Sequence, residues 1–319
     1  MTSIFIEPAP AKLNLFLHVT GKRDDGYHLL DSLVCFAEYG DVVSATRRDD
    51  TAITLAISGP MAGNLSDGNP DDNLVMRAAR LLQTEGKVSQ GADLTLEKNL
   101  PVASGIGGGS ADAAATLRVL CKLWQLDIPA DRLAALALSL GADVPVCLGA
   151  KTVLMQGIGD ELIDLPELPN LSLVLVNPGC AVATADVFHA RVHDDDDNDN
   201  GNGRDFTDND LWDRTAHFNS GASLAAALQD CRNDLTLPAS GILPEICDVL
   251  QALAREEGCL LARMSGSGAT CFAIYDTDVQ ATNAANMIAT EQPDWWVQPT
   301  RIQSHDNRAL SQIGASFPA

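Results

Sequence analysis

The stretch from Leu100 to Ala111 has the composition that phosphate-binding loops need. It reads Leu-Pro-Val-Ala-Ser-Gly-Ile-Gly-Gly-Gly-Ser-Ala, so four glycines fall within five positions. The Ala- and Leu-rich segment from Ser110 to Trp124 is predicted to be a helix, and its first turn offers unpaired N–H groups and the positive end of a dipole. Glycines before such a helix adopt positive φ and let the backbone approach a phosphate. The loop is therefore a candidate anion site.

The residues of this loop also allow other interpretations. A tight turn that starts a helix without a ligand would need the same glycines. A Walker A loop is excluded, because no Lys-Ser or Lys-Thr pair follows the last glycine. A Rossmann fingerprint is disfavoured, since the acid found about 20 residues later, Asp127, lies in the loop-like sequence Leu-Asp-Ile-Pro.

Two polar residues near the start of the chain can act on one ligand. Residues 11–19 alternate as a strand, with Lys12, Asn14, Phe16 and His18 on one face and three leucines and Val19 on the other. The leucine face belongs to a core. Lys12 and Asn14 are two residues apart, so their polar groups can converge; a solvated strand face is the alternative.

Asp143 is a further polar residue in a predicted turn. It follows a predicted helix that Asp131 caps and Gly141 ends, and the sequence Ala142-Asp143-Val144-Pro145 places it in a turn at the mouth of a strand. An aspartate at such a place can equally form the turn or cap a helix.

The bulk properties limit the class of protein. The chain has 319 residues and a net charge of −22, which argues against a nucleic-acid partner. The N-terminus lacks the features of a signal peptide, and no apolar run reaches the ~18 residues of a membrane span. Because no membrane span is predicted, we expect no membrane partner. The eight cysteines are scattered without a Cys-x-x-Cys pair, so we expect buried thiols in a reducing cytoplasm.

Two further segments bear on organisation. Residues 193–210 are rich in Asp, Asn and Gly, which predicts a solvated, disordered insertion; a calcium loop is disfavoured because the terminal Glu and the flanking amphipathic helices are absent. The sequence Pro-Glu-Leu-Pro-Asn at 166–170 is the best linker. We therefore predict one domain over residues 1–166 and a second over residues 167–319.

Three segments, taken in order and spacing, resemble the motifs of the GHMP small-molecule kinases. They are Pro10–Leu15, Leu100–Ala115 and Met264–Ala269. Two more sequences are similar to the branch of this family that acts on a cytidyl diphosphate sugar-alcohol in the non-mevalonate isoprenoid pathway. These are Gly-Lys-Arg-Asp-Asp-Gly-Tyr-His at 21–28 and Gly-Ala-Asp-Val-Pro at 141–145.

The resemblance implies an α+β fold of two domains with the active site in the cleft between them. It implies transfer of the γ-phosphate of ATP to a hydroxyl of the cytidyl substrate, with Mg²⁺ accompanying ATP and its protein ligands unknown. Lys12 and Asp143 match the catalytic pair, in which Asp143 would accept the hydroxyl proton and Lys12 would orient Asp143. Whether Asp143 acts as a general base or only orients the hydroxyl stays open. The residues matching the ATP-phosphate loop are Pro101, Val102, Ala103, Ser104, Gly105, Ile106, Gly107, Gly108, Gly109, Ser110 and Ala111. Those matching the holders of the cytidyl substrate are Asn14, Tyr27, His28, Thr184 and Phe188.

One departure and two alternatives accompany this resemblance. Asp112 stands where many relatives carry Asn, and a carboxylate there would repel a phosphate, so we expect its side chain to point away from the nucleotide. A homoserine- or mevalonate-type kinase would need no Tyr27-His28 pair. A non-catalytic nucleotide-binding module would have no use for Lys12 or Asp143. The sequence leaves the oligomeric state undetermined.

Overall fold

The computed structural model describes residues 3–65, 72–197 and 212–303, which form two β-sheets covered by helices. This confirms the predicted α+β class. The strands are β1 (Ile4–Asn14), β2 (His18–Lys22), β3 (His28–Arg47), β4 (Ile53–Ser58), β5 (Ala92–Glu97), β6 (Val153–Gly157), β7 (Glu161–Asp164), β8 (Ser172–Asn177), β9 (Cys259–Met264), β10 (Cys271–Tyr275) and β11 (Trp296–Arg301). The helices are α1 (Leu74–Glu85), α2 (Gly108–Trp124), α3 (Ala130–Leu140), α4 (Val144–Gly149), α5 (Thr184–Asp197), α6 (Gly221–Leu228), α7 (Thr236–Ile242), α8 (Glu245–Arg255) and α9 (Asp278–Glu291).

The larger sheet is organised around β3, a strand of 20 residues. β1, β2, β5 and β6 all pair with it in antiparallel fashion, β4 runs parallel to β5, and β7 pairs with β6. The sequence predicts a strand over residues 41–46, and β3 extends it through Gly40 back to His28. A Cβ at Gly40 would lie 2.3 Å from the carbonyl oxygen of Ala9, so the glycine is required where the two backbones approach closely.

The prediction of one strand over residues 11–19 is wrong at its centre. β1 ends at Asn14, and β2 begins at His18. Arg263 Nη1 donates to the carbonyl oxygen of Leu15 at 2.7 Å, and Leu17 exchanges backbone hydrogen bonds with Arg232 and Asp234. Segments more than 200 residues away therefore take over the hydrogen bonds that a continuous strand would have made.

The smaller sheet has the strand order β11-β8-β10-β9, and all its pairs are antiparallel. Its strands all follow residue 171, whereas the strands of the larger sheet all precede residue 165. Residues 165–171 adopt neither helix nor strand. The predicted boundary between residues 166 and 167 falls within this segment and stays a prediction.

α1 and α2 pack together over the larger sheet and hold the glycine segment in place. Asn73 caps α1 as predicted, because its Oδ1 accepts the N–H of Val75 at 2.9 Å. The small side chains of α2 let it lie against β1, β3 and α1, and Ala113, Ala114 and Leu117 are fully buried. The N-terminus of α2 is thus fixed relative to the end of β1.

The predicted disordered insertion begins too early. α5 runs to Asp197, so residues 193–197 are helical, because extending a nucleated helix adds one hydrogen bond for each residue fixed. Residues 198–210 lie outside the described residues.

All eight cysteines are free, but they are not all buried as predicted: Cys180 and Cys247 are exposed. In the described ranges, every helix is too short or too polar to cross a bilayer.

Candidate active site

A cavity of about 1070 Å³ opens beside the glycine segment. Its volume lies at the upper end of the roughly 300–1,000 Å³ found for ligand-binding pockets. Residues from both sides of the 165–171 segment line it. The predicted site residues among them are Lys12, Asn14, Tyr27, His28, Pro101, Val102, Ala103, Ser104, Gly105, Gly107, Gly108, Gly109, Ser110, Asp143, Thr184 and Phe188.

Lys12 and Asp143 form an ion pair in the wall of this cavity. Nζ of Lys12 donates to Oδ2 of Asp143 at 2.9 Å across 131 residues of sequence. The lysine side chain is 5% exposed and the aspartate side chain is 37% exposed. The carboxylate can therefore contact a ligand while the ammonium holds it from behind.

Asp143 lies in a turn as predicted, but the turn leads into the short helix α4, of which Asp143 is the N-cap, and not into a strand. Pro145 favours this helix, since proline is tolerated in the first turn. The Asp143 side chain makes no capping hydrogen bond. It pairs with Lys12 instead, and the carboxylate lines the cavity.

The glycine segment adopts conformations that depend on glycine at two positions. Gly105 has φ +75° and Gly107 has φ +64°. A Cβ at Gly107 would lie 3.1 Å from Cβ of Lys12, and the N–H of Lys12 donates to the carbonyl oxygen of Ile106 at 2.9 Å. The loop is thus packed directly against the end of β1.

Gly107 is also the N-cap of α2 and provides no side-chain cap. The N–H groups of the first turn of α2 therefore lack a side-chain acceptor such as the one that Asn73 provides to α1. Gly108, Gly109 and Ser110 of this turn line the cavity. The arrangement suits an anion held by backbone N–H groups and the helix dipole.

The late glycine turn supports the loop from the other side. A Cβ at Gly105 would lie 2.5 Å from the carbonyl oxygen of Ser265, and one at Gly266 would lie 2.5 Å from the carbonyl oxygen of Gly105. Ser265 Oγ accepts the N–H of Asn14 at 3.2 Å. The three sequence segments that carry the family resemblance therefore meet at one place.

The predicted acceptor-binding residues also line the cavity. Asn14 is fully buried, its Nδ2 donates to Oγ of Ser32 at 2.7 Å, and its Oδ1 has no hydrogen-bond partner among the described residues. The rings of His28 and Phe188 stack with centroids 4.8 Å apart. The ring of Tyr27 is 60% exposed at the rim.

Two predicted loop residues do not line the cavity. The side chains of Ile106 and Ala111 are buried in hydrophobic clusters on either side of the loop. Any part they take in binding a ligand would come from their backbone atoms. Thr184 does face the cavity, and its Oγ1 lies 2.8 Å from Oγ of Ser267, which sequence reasoning had not singled out.

Sequence reasoning also missed a buried cluster beneath the start of α2. Nζ of Lys98 donates to Oδ2 of Asp41 at 2.5 Å and to Oδ2 of Asp112 at 2.7 Å. Burial by itself would lower the pKa of Lys98, but the two carboxylates raise it above its ordinary value. The signal available in the sequence was a lysine two residues before the loop. The carboxylate of Asp112 is thus directed to Lys98.

Models of known families match both parts of the chain. The GHMP kinases N terminal domain matches residues 73–151, and the GHMP kinases C terminal model matches residues 218–294. A 4-diphosphocytidyl-2-C-methyl-D-erythritol kinase of Cereibacter sphaeroides is 51% identical over 95% of this chain and 99% of its own length. The chain belongs to the GHMP kinase family. A kinase of the same name from Paramagnetospirillum magneticum is 48% identical over 95% of this chain and 100% of its own.

Solved structures show that this GHMP kinase has the family's two-domain fold. The crystal structure of a 4-(cytidine 5′-diphospho)-2C-methyl-D-erythritol kinase matches with a TM-score of 0.74 and 28% identity, over 94% of this chain and 100% of that one. A homoserine kinase from Cytophaga hutchinsonii matches with a TM-score of 0.64 at 18% identity, over 95% of each chain. The second likeness speaks for the fold alone.

Proposed function

We propose that this GHMP kinase transfers the γ-phosphate of ATP to the 2-hydroxyl of 4-diphosphocytidyl-2-C-methyl-D-erythritol. The products are the 2-phosphate and ADP, and the step belongs to the methylerythritol phosphate route to isoprenoid precursors. The observation that carries the proposal is the Lys12–Asp143 ion pair, 2.9 Å long, in the same cavity as a glycine loop at a helix N-terminus. Relatives about 50% identical over nearly the whole chain carry that name.

Phosphoryl transfer asks a protein mainly for positioning and for neutralisation of charge. In our proposal, Asp143 accepts a hydrogen bond from the substrate hydroxyl and takes its proton as the bond to phosphorus forms. Lys12 orients Asp143 and stabilises the charge that develops on the transferred phosphoryl group. The partly exposed carboxylate and the buried ammonium support this division of roles.

The loop from Pro101 to Ala111 binds the β- and γ-phosphates in this proposal. The support is the uncapped first turn of α2, whose N–H groups line the cavity at Gly108 to Ser110. Backbone donors at a helix N-terminus favour anions without a basic side chain.

Magnesium would neutralise charge on the bound phosphates. Within residues 3–65, 72–197 and 212–303, no group of three or more His, Cys, Asp or Glu side chains could hold a metal ion. Mg²⁺ commonly keeps several waters and takes one or two protein oxygens besides the phosphates. The cavity therefore fits an ion that arrives with ATP rather than one held by a dedicated protein cage.

Five residues hold the cytidyl substrate in the proposal: Asn14, Tyr27, His28, Thr184 and Phe188. Tyr27 has an exposed ring at the rim, which suits stacking on cytosine. The stacked rings of His28 and Phe188 provide an aromatic wall beside it. Asn14 has a buried oxygen that no described residue bonds, so a donor group of the substrate can satisfy it.

An ATP-consumption assay across three alcohols tests the proposal. We expect turnover with 4-diphosphocytidyl-2-C-methyl-D-erythritol and at most background rates with homoserine or mevalonate, because Tyr27 and His28 have no role toward those acceptors. A preference for homoserine or mevalonate would assign the chain to another member of the family. ATP binding without turnover on all three alcohols would indicate a nucleotide-binding module.

A further inference from the structure

Asp41, Lys98 and Asp112 connect the two ends of the glycine loop. Oδ1 of Asp41 accepts the N–H groups of Asn99 and Leu100, at 2.5 and 2.8 Å, where the chain enters the loop. Asp112 belongs to α2, where the chain leaves it. Lys98 bridges both carboxylates, and the side chains of the cluster are at most 5% exposed.

The cluster contains two carboxylates and one ammonium, so it carries a net negative charge when both acids are ionised. Asp41 is satisfied by three hydrogen bonds, from Lys98 Nζ and two backbone N–H groups. Asp112 accepts one hydrogen bond from Lys98, and its Oδ1 is buried without a hydrogen-bond partner in the described part of the chain. Asp112 is therefore the less stabilised carboxylate, and the cluster carries its excess negative charge only when Asp112 is ionised.

The cluster lies directly behind the phosphate-binding turn, with the ammonium of Lys98 nearest to Gly108. A Cβ at Gly108, the first residue of α2, would lie 3.2 Å from Nζ of Lys98 and 3.7 Å from Oδ2 of Asp41. Lys98 and Asp112 also belong to the cavity wall together with Gly108. Charges separated by low-dielectric protein interact more strongly than charges in water.

We propose that Asp112 weakens the binding of nucleotide phosphates and that Lys98 limits this effect, so that position 112 sets the affinity of the loop for ATP and ADP. The inference rests on the proposed function, because it takes the loop to be the site of the nucleotide phosphates. Weaker binding of ADP would shorten the time that product occupies the site.

Direct binding tests the inference without turnover. Calorimetric titration of ATP, ADP and AMP, with adenosine measured by competition, would compare the unaltered chain with Asp112→Asn. The pH is 8.5, because burial raises the pKa of Asp112 and the carboxylate must be ionised. We expect Asp112→Asn to bind ATP about tenfold more tightly than the unaltered chain does. The gain in affinity should be smaller for ADP and smaller still for AMP, and the affinity for adenosine should stay within about twofold. Asp131→Asn, in the exposed first turn of α3, is the matched control.

A second variant gives the opposite sign. Lys98→Met removes the ammonium, so ATP should bind at least about tenfold more weakly while adenosine is again unaffected. This variant keeps the inference testable if Asp112→Asn does not fold. Asp112→Asn with unchanged or weaker ATP binding, or equal effects on ATP and adenosine in either variant, would overturn the inference. No ATP binding to the unaltered chain would overturn the proposed function as well.

Discussion

Two lysine–aspartate clusters flank the glycine segment, and they differ in access to the cavity. Asp143 is 37% exposed next to a buried Lys12, whereas Asp41, Lys98 and Asp112 are all at most 5% exposed. The difference follows from their positions. Asp143 stands at the N-cap of a short helix, and Asp41 lies within the central strand β3. The same residue types thus suit catalysis in one place and support of the loop in the other.

The largest difference between the clusters should appear in turnover. Lys12→Ala leaves Asp143 unoriented and removes a cation from the reacting phosphate, so we expect kcat to fall about 10³-fold. Lys151→Ala is the matched control, because Lys151 pairs with Asp164 at the surface outside the cavity. Steady-state assays with 4-diphosphocytidyl-2-C-methyl-D-erythritol measure the effect. A Lys12→Ala enzyme with near-normal kcat would show that the Lys12–Asp143 pair is not the cluster that supports turnover.

Stability should respond in the opposite way. Asp41→Ala leaves Lys98 with one carboxylate and two backbone N–H groups without their acceptor, so we expect the free energy of unfolding to fall by about 3–5 kcal/mol. Asp143→Ala should cost about 1 kcal/mol or less, since the pair it breaks is partly solvated. Urea denaturation measures both. Equal losses would show that burial does not separate the clusters.

His18 is a buried titratable group outside both clusters, and it is neutral at pH 7. Burial lowers the pKa of His18 to about 4, with Arg232 and Arg263 adding to this and Asp234 opposing it. The unfolded chain takes up the proton near the ordinary pKa of 6.5, so the contribution of His18 to stability is constant above that pH and falls as the pH drops toward 4. We expect a loss of about 3 kcal/mol across this range.

The control for this prediction is His18→Gln, whose amide oxygen can accept the N–H that Arg232 donates to Nε2 of His18. Unfolding free energies measured at several pH values should show a slope between pH 6.5 and 4 that is smaller in the variant. The same slope in both proteins would assign it to other groups.

The smallest effect is expected at the cavity rim. Tyr27→Ala removes an exposed ring without breaking an ion pair, so KM for the cytidyl substrate should rise about tenfold. KM for ATP should stay within about twofold of normal. Tyr27→Phe keeps the ring and should behave like the unaltered enzyme. Equal increases of both KM values would place Tyr27 outside the acceptor site.

Local patterns predicted much of this fold. The Asn73 cap, the Ala-rich helix α2 and the strands on either side of Met264–Ala269 all follow from nearby residues. The break of β1 at Leu15 could not be predicted, because its cause is Arg263, far away in sequence. α7 was missed as well, since it contains Pro and Gly, which usually interrupt helices.

In the candidate site, too, some residues could be predicted from the nearby sequence and others depend on distant contacts. The glycines and Lys12 were recognisable because their spacing and residue types are distinctive. Asp143 lines the cavity, but the sequence predicts a strand after it where the structure has the short helix α4. Asp41 and Lys98 were missed, because their pairing needs a contact between residues 57 positions apart.

The most direct test separates nucleotide binding from phosphoryl transfer in Asp143→Asn. The amide keeps the size of the side chain but cannot take a proton from the acceptor hydroxyl. Calorimetry should give a Kd for ATP within about threefold of normal, and rapid-quench measurement of the first turnover should show transfer slowed at least about 100-fold. Near-normal transfer by this variant would contradict the assignment of the Lys12–Asp143 pair to catalysis.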